Sequence, residues 1–160
     1  MTKKKKATAY HEAGHALAGY RFGHYGGTIT IVPKGHTSGS SLSEAPWGDG
    51  SKDIEQIIVL YAGFAAESRY DKNANKLGSS NDDENAADLL QHTTETESSL
   101  RIKAKELIDK DWKIIEAIAE KLFVHKTLTE DEWSIIIDAF DEGEDWEESF
   151  YKMRAILEEL

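Results

Sequence analysis

Apolar residues recur at helical spacing along most of this 160-residue chain. In residues 51–71 they fall three and four positions apart, so they share one face of a helix. The same spacing predicts further helices over 7–22, 82–110 (as one helix or two), 111–126, 129–140 and 144–160. TITIVPKG, at 28–35, is instead alternating and β-branched, which predicts a strand ending at Pro33. We therefore predict a mainly α fold with a small β-strand element.

Nothing in the pattern divides the chain, because it has no internal repeat and no long linker. We predict a single helical domain over residues 1–160, with MTKKKK as a flexible basic tail over residues 1–6, since lysine runs are usually solvated. A short second strand is expected around Gly39–Leu42. Thr129 and Glu132 have the spacing of a capping box, which predicts the start of a helix at that point.

Charge is distributed unevenly along the chain. The net charge is −11, and the segment 129–160 alone holds 12 acidic and 2 basic residues. This acidic C-terminal helical part, 111–160, argues against nucleic-acid binding, because proteins that bind nucleic acid present a basic face. The acidic segment is either a solvated face that keeps the protein soluble or a docking surface for a basic partner.

Membrane and compartment signals are the next features of the composition. No apolar run approaches the roughly 20 residues that span a bilayer, and no apolar segment follows the lysine run as it would in a secretory signal. The absence of cysteine fits a reducing compartment. We therefore expect no direct insertion into a membrane and a cytoplasmic location.

The chemistry begins in the first predicted helix, with AYHEAGHALAGY at 9–20. Residues four apart share a helix face, so His11 and His15 can direct their imidazoles at one metal ion, and neutral imidazole suits zinc. Glu12 is offset by one residue, which places it beside the metal as a proton acceptor for the attacking water. Gly14 keeps the helix thin between the ligands, so that another segment can approach it. The β element is expected to pack near this HExxH helix.

A catalytic zinc site needs a third protein ligand, and the motif does not supply it. The extended pattern HExxHxxGxxH fails, because Ala18 and Arg21 occupy its glycine and third histidine positions. Two carboxylates remain as candidates. Glu67 follows on the next helix in AAESRYD, and Asp82 lies in LGSSNDDENA, where Asn81 as N-cap would place it in the first helical turn. Spacing alone leaves these two nearly even.

Four segments in this order resemble the peptidase domain of FtsH-type zinc metalloproteases, which are membrane-bound AAA+ proteases. They are AYHEAGHALAGY, ITIVPKG, YAGFAAES and LGSSNDDENAADLL, and the resemblance covers roughly residues 7–91. A weaker similarity, IAEKLFVHKTLTEDEW, covers part of the C-terminal helices. HEAGH followed by G-x-AAE and SND is far more specific than HEAGH alone.

The resemblance implies a ligand set and a mechanism. His11 and His15 become zinc ligands, Asp82 becomes the third ligand, and Glu12 becomes the catalytic base. Glu67 then becomes a supporting carboxylate that holds a histidine in place. The implied activity is that of a zinc-dependent metalloendopeptidase. Because the 160 residues contain no unfoldase motif, we expect its substrates to be unfolded or flexible polypeptides.

Three expectations about partners follow. The 160 residues contain no GxxxxGK[ST] phosphate loop, so any ATPase partner would act in trans, and an oligomer is possible. The strand TITIVPK either binds a peptide substrate along its edge or simply covers the active helix. The alternative function is a catalytically silent FtsH-like domain that serves as a peptide-binding or regulatory partner.

Overall fold

A computed structural model of the chain describes residues 2–24, 26–33, 40–41, 50–75 and 79–160. The described residues are mostly helical, which confirms the prediction of a mainly α fold. No described helix is both long enough and apolar enough to cross a bilayer. In chain order the elements are α1 (Thr2–Arg21), β1 (Ile29–Thr30), β2 (Ser40–Ser41), α2 (Gly50–Tyr70), α3 (Ser80–Leu90), α4 (Glu97–Lys110), α5 (Trp112–His125), β3 (Thr127–Leu128), α6 (Glu130–Glu142) and α7 (Trp146–Glu158).

Helix α1 lies at the centre of the fold. Its residues from His11 to Gly19 are all buried, as expected of a helix that is surrounded by others. It packs mainly against α2 and α5. The contact with α2 is very close, because a Cβ atom added at Gly14 would lie 2.6 Å from the carbonyl oxygen of Ala62. The prediction that Gly14 admits another segment is therefore confirmed.

The prediction of a flexible tail over residues 1–6 is wrong for Thr2–Lys6, which form the first turns of α1. Lysine is a good helix former, and two contacts hold this end of the helix to the rest of the protein. Lys3 Nζ lies 3.6 Å from Asp71 Oδ1. Lys6 Nζ lies 5.2 Å from the centre of the Phe123 ring, which is a cation–π contact.

The sheet has three strands in the order β2-β1-β3, and both pairings are antiparallel. Ile29 pairs with Ser41 on one side and with Leu128 on the other. The expected second strand is therefore confirmed, whereas β3 was not predicted. Because β1 is bonded on both sides at Ile29–Thr30, the prediction that a substrate peptide binds along the edge of this strand is wrong there.

The C-terminal helices α6 and α7 pack against each other. The predicted capping box is confirmed, because the Thr129 side chain accepts from the Glu132 backbone while Glu132 accepts from the Thr129 N–H. Gly143 ends α6 in the left-handed conformation, with φ of 72°. Helix α7 fully buries only Phe150, so most of its surface faces outward.

Candidate metal centre

His11 and His15 lie one turn apart on α1, and both rings are buried. Their Nε2 atoms are 3.0 Å apart, and the two rings meet edge to face. Helix α1 places the pair together through its own periodicity, since positions four apart fall on the same face. The two histidines therefore present a pair of nitrogen atoms to one point in space.

The outer nitrogen of each ring is held by a group on α2. His15 Nδ1 donates to the Val59 carbonyl oxygen at 2.8 Å, and His11 Nδ1 lies 2.9 Å from Glu67 Oε1. A carbonyl or carboxylate oxygen accepts, so each Nδ1 carries the hydrogen and a neutral ring directs the lone pair of its Nε2 inward. These two hydrogen bonds orient both rings in the way that metal-binding histidines usually require.

Asp82 brings the third inward-pointing atom, in the first turn of α3. Its Oδ2 lies 3.0 Å from His11 Nε2 and 3.0 Å from His15 Nε2. The helix starts earlier than predicted, because Ser79 rather than Asn81 is the N-cap and makes no side-chain capping bond. Asp82 nevertheless stays in the first turn, where the helix dipole favours a carboxylate.

The three donor atoms fit a zinc ion. They form a triangle with sides of 3.0 Å. A tetrahedral zinc with bonds of 2.0–2.1 Å holds its ligand atoms roughly 3.3 Å apart, so only a small outward movement is needed. Two neutral imidazoles and a carboxylate also leave one tetrahedral position open, as in catalytic zinc sites. His11, His15 and Asp82 are the described residues that form such a cluster.

The neighbouring carboxylates of Glu67, the other candidate, and of Asp71 lie outside this triangle. Glu67 contacts the far nitrogen of His11, so its position is that of a supporting group. Asp71 is farther away, accepting from the Asn73 N–H and pairing with Lys3.

Charges in the centre favour a bound cation. Burial lowers the pKa of His11, but hydrogen bonds to Asp82 and Glu67 outweigh it and raise that pKa to about 10. The pKa of His15 is also raised, because Asp82 overcomes the effect of burial. Burial raises the pKa of Asp82, yet the two histidines bring it well below its usual range. An arrangement that attracts a proton this strongly also attracts a metal ion.

Glu12 is the fourth ionisable group of the centre. It is only 5% exposed, and no described residue forms a hydrogen bond with its buried Oε2 atom. Burial raises its pKa, and although His15 and His11 oppose this, the net shift is upward. A buried carboxylate with a free oxygen and a raised pKa is suited to accept a proton from a water molecule beside it.

Comparison with known proteins identifies a peptidase family. Residues 1–96 match the sequence profile of peptidase family M41. The chain belongs to this family.

Curated relatives of this M41 chain are named ATP-dependent zinc metalloprotease FtsH. That of Haemophilus influenzae is 36% identical over 98 residues, which cover 56% of this chain and 15% of that protein. That of Thermus thermophilus is 39% identical over 71 residues, covering 41% of this chain and 11% of that protein. FtsH 3 of Symbiobacterium thermophilum is 48% identical over 72 residues, with the same coverage of 41% and 11%. The resemblance to FtsH-type peptidase domains is thus confirmed, and the chain spans a small part of these relatives' length.

The centre also depends on Gly63 of α2, the glycine of the G-x-AAE motif, to which the sequence analysis assigned no role. A Cβ atom at this position would lie 2.5 Å from His15 Nε2 and 2.8 Å from His11 Nε2. Any side chain there would therefore occupy the space of the donor atoms themselves. A signal was available, since an isolated glycine within a helical pattern costs stability and usually has a packing or functional reason. The Val59 carbonyl, as a backbone group, carries no such signal.

Proposed function

We propose that the protein is a zinc-dependent metallopeptidase that hydrolyses peptide bonds in unfolded or flexible polypeptides. The observation that carries the proposal is the convergence of His11 Nε2, His15 Nε2 and Asp82 Oδ2 next to the buried carboxylate of Glu12. Membership of peptidase family M41 and the zinc metalloprotease names of the FtsH relatives support it.

Each residue of the centre has a distinct role in this proposal. His11, His15 and Asp82 hold the metal, while Glu67 and the Val59 carbonyl keep the two imidazoles oriented. A bound zinc ion supplies Lewis acidity, which acidifies water and polarises a carbonyl group. Glu12 takes the proton from the attacking water and then passes it to the leaving amine.

Substrate class and partners are the finer parts of the proposal. No phosphate loop occurs in the 160 residues, so we propose that these residues act on segments that are already unfolded. The names of the FtsH relatives include ATP dependence, which supports an ATPase partner acting in trans. A cytoplasmic location stays a prediction.

The test uses Glu12→Gln, which keeps the size of the side chain and removes its basicity. We expect the variant to retain one zinc ion per chain and to lose hydrolysis of an unstructured protein such as casein by at least about a hundredfold. Glu120→Gln, at an exposed position of α5, serves as the matched control and should cleave like the wild type.

Two outcomes would contradict the proposed peptidase activity. Equal cleavage by the wild type and Glu12→Gln would remove Glu12 from the chemistry. If neither cleaves, although both bind zinc and an unfolded polypeptide, the alternative of a silent peptide-binding domain replaces the proposal.

A further inference from the structure

Three aromatic rings form a continuous stack beside the metal centre. The ring of Tyr10, on α1, is shared by both contacts: its centre lies 4.3 Å from that of Tyr70, at the end of α2, and 5.2 Å from that of Trp112, at the start of α5. The ring planes are inclined by only 13° and 20°, which is a stacked arrangement. All three side chains are half-buried. The stack therefore ties α1, α2 and α5 together.

The stack lies next to the hydrogen bond that orients His11. On α1, Tyr10 is the residue before His11. On α2, Tyr70 is three residues after Glu67, so these two side chains share a face of that helix. Glu67 Oε1 lies 2.9 Å from His11 Nδ1, and Tyr70 stacks on Tyr10. The position of α1 against α2 that allows one of these contacts therefore allows the other.

Small residues form the middle of the contact between α1 and α2. A Cβ atom added at Gly14 would lie 2.6 Å from the Ala62 carbonyl oxygen and 2.8 Å from Ala66 Cβ. Such a contact lets the helices approach closely, but it offers few interlocking side chains to resist sliding of one helix along the other. The Lys3–Asp71 ion pair near this end is 3.6 Å long and Lys3 is exposed, so it contributes little. The stack supplies the large side-chain contact at this end.

We propose that the stack of Tyr70, Tyr10 and Trp112 is a positioning device for the metal centre. It fixes α1 against α2 so that Glu67 stays bonded to His11, and Tyr10 is its central positioning residue. Trp112 lies outside residues 1–96, the part matched by peptidase family M41, so the C-terminal part of the chain helps to hold a zinc ligand in place. The inference rests on the zinc site of the proposed function, but not on peptide hydrolysis.

Zinc affinity in ring variants tests the role of the stack. Tyr10→Leu keeps an apolar side chain but removes the ring, and we expect it to weaken zinc binding about tenfold, since partners of metal ligands typically contribute about 10–100-fold. Trp112→Leu should act in the same direction, whereas Tyr10→Phe keeps the ring and should bind zinc like the wild type. Competition with a chromogenic chelator measures the affinities, and circular dichroism identifies the folded variants. Wild-type affinity in both Leu variants, or an equal loss in Tyr10→Phe, would overturn the proposal.

Phe140→Leu is the matched control. The Phe140 ring of α6 stacks on that of Trp146 with centres 6.1 Å apart and planes 18° apart, so the same kind of contact is lost away from α1 and α2. We expect a lower melting temperature and an unchanged zinc affinity. If Phe140→Leu weakens zinc binding as much as Tyr10→Leu does, the affinity follows general stability and the proposed role of the stack is wrong.

A double-mutant cycle decides whether the stack acts through Glu67. Glu67→Ala removes the group that supports His11, so in this background the ring of Tyr10 has no hydrogen bond left to maintain. Tyr10→Leu should then weaken zinc binding by less than about twofold, compared with about tenfold in the wild-type background. Two full effects that multiply in the double variant would exclude the route through Glu67.

A measurement without zinc separates this inference from the proposed function. In the NMR spectrum of the metal-free protein, the hydrogen on His11 Nδ1 should exchange slowly with water, because the ring is buried and bonded to Glu67. Tyr10→Leu should accelerate this exchange about tenfold or more, and Phe140→Leu should not. A wild type that binds no zinc contradicts the proposed function, whereas unchanged exchange in folded Tyr10→Leu contradicts the positioning role.

Discussion

Two groups of polar side chains differ in what they contact. At the contact of α5 with α7 there is a paired cluster, in which the buried Lys121 Nζ lies 3.2 Å from Glu147 Oε2 and donates to the Tyr151 hydroxyl at 3.1 Å. In the metal centre, three atoms that can each bind a metal ion face one another instead.

The difference separates structure from function. Buried polar groups are normally satisfied, so the paired cluster stabilises the fold. In the metal centre, protons on the histidines satisfy Asp82 when no metal is bound, and a metal ion can displace them. Substitutions in the centre should therefore change metal binding, whereas substitutions at the contacts between the C-terminal helices should change only stability.

The largest expected effect is the loss of zinc binding when the proposed third ligand is replaced. Asp82→Ala removes one of three metal donors and should weaken zinc binding by well over about a hundredfold. Glu67→Ala removes a group that supports His11 and should cost about 10–100-fold. Zinc content after dialysis and competition with a chromogenic chelator measure both. Loss of zinc with Glu67→Ala but not with Asp82→Ala would reverse the assignment.

Gly63→Ala should have the next largest effect. The added methyl would lie 2.5 Å from His15 Nε2, so the imidazoles must move and zinc affinity should fall by about tenfold or more. Elsewhere in a helix the same change stabilises by about 1 kcal/mol, so the sign is diagnostic. Ser68→Ala, on the side of α2 that faces away from the histidines, is the control. Unchanged zinc affinity in Gly63→Ala would show that the site tolerates a side chain there.

The pH dependence of the metal-free protein sharpens the comparison further. The pKa of His11 is raised from 6.5 to about 10, so its charged form stabilises the metal-free fold below pH 6.5, and this contribution is lost as the pH rises towards about 10. Zinc displaces the same proton, so its affinity should increase about tenfold per pH unit over that window.

Thermal unfolding with and without zinc checks this prediction. The melting temperature of the metal-free protein should fall between pH 6.5 and about 10, while the increase on adding zinc should grow. A His11→Ala control should lose part of this dependence, because the pKa of His15 is also raised. A pH-independent melting temperature in the metal-free wild type would contradict the assigned charges.

The smallest expected effect concerns the contacts between the C-terminal helices, where Glu132 of α6 meets Arg154 of α7. Glu132→Ala removes half of the capping box and the partner of Arg154, and it should lower the free energy of unfolding by about 1–3 kcal/mol. Zinc content should not change, which chemical denaturation and metal analysis together establish. Loss of zinc in this variant would show that the contact between α6 and α7 is coupled to the metal centre.

Prediction from the sequence succeeded where the relevant contacts are local. The capping box at Thr129 needs residues three apart, and the helices follow from apolar spacing. It missed the first turns of α1 at Thr2–Lys6, because no apolar residue in that stretch marks a buried helix face. It also missed β3, whose two residues become a strand only by pairing with β1.

The sequence by itself determined that His11 and His15 share a face with Glu12 beside them, because the period of an α-helix leaves no other arrangement. Only the tertiary structure brings Asp82 Oδ2 to 3.0 Å from His11 Nε2 and Glu67 Oε1 to 2.9 Å from Nδ1 of the same ring, across 71 and 56 residues of chain. That arrangement depends on how closely α2 and α3 approach α1, and Gly14 and Gly63 allow the close approach of α2. Packing distances of this kind are set by the whole core and are not encoded in any local spacing.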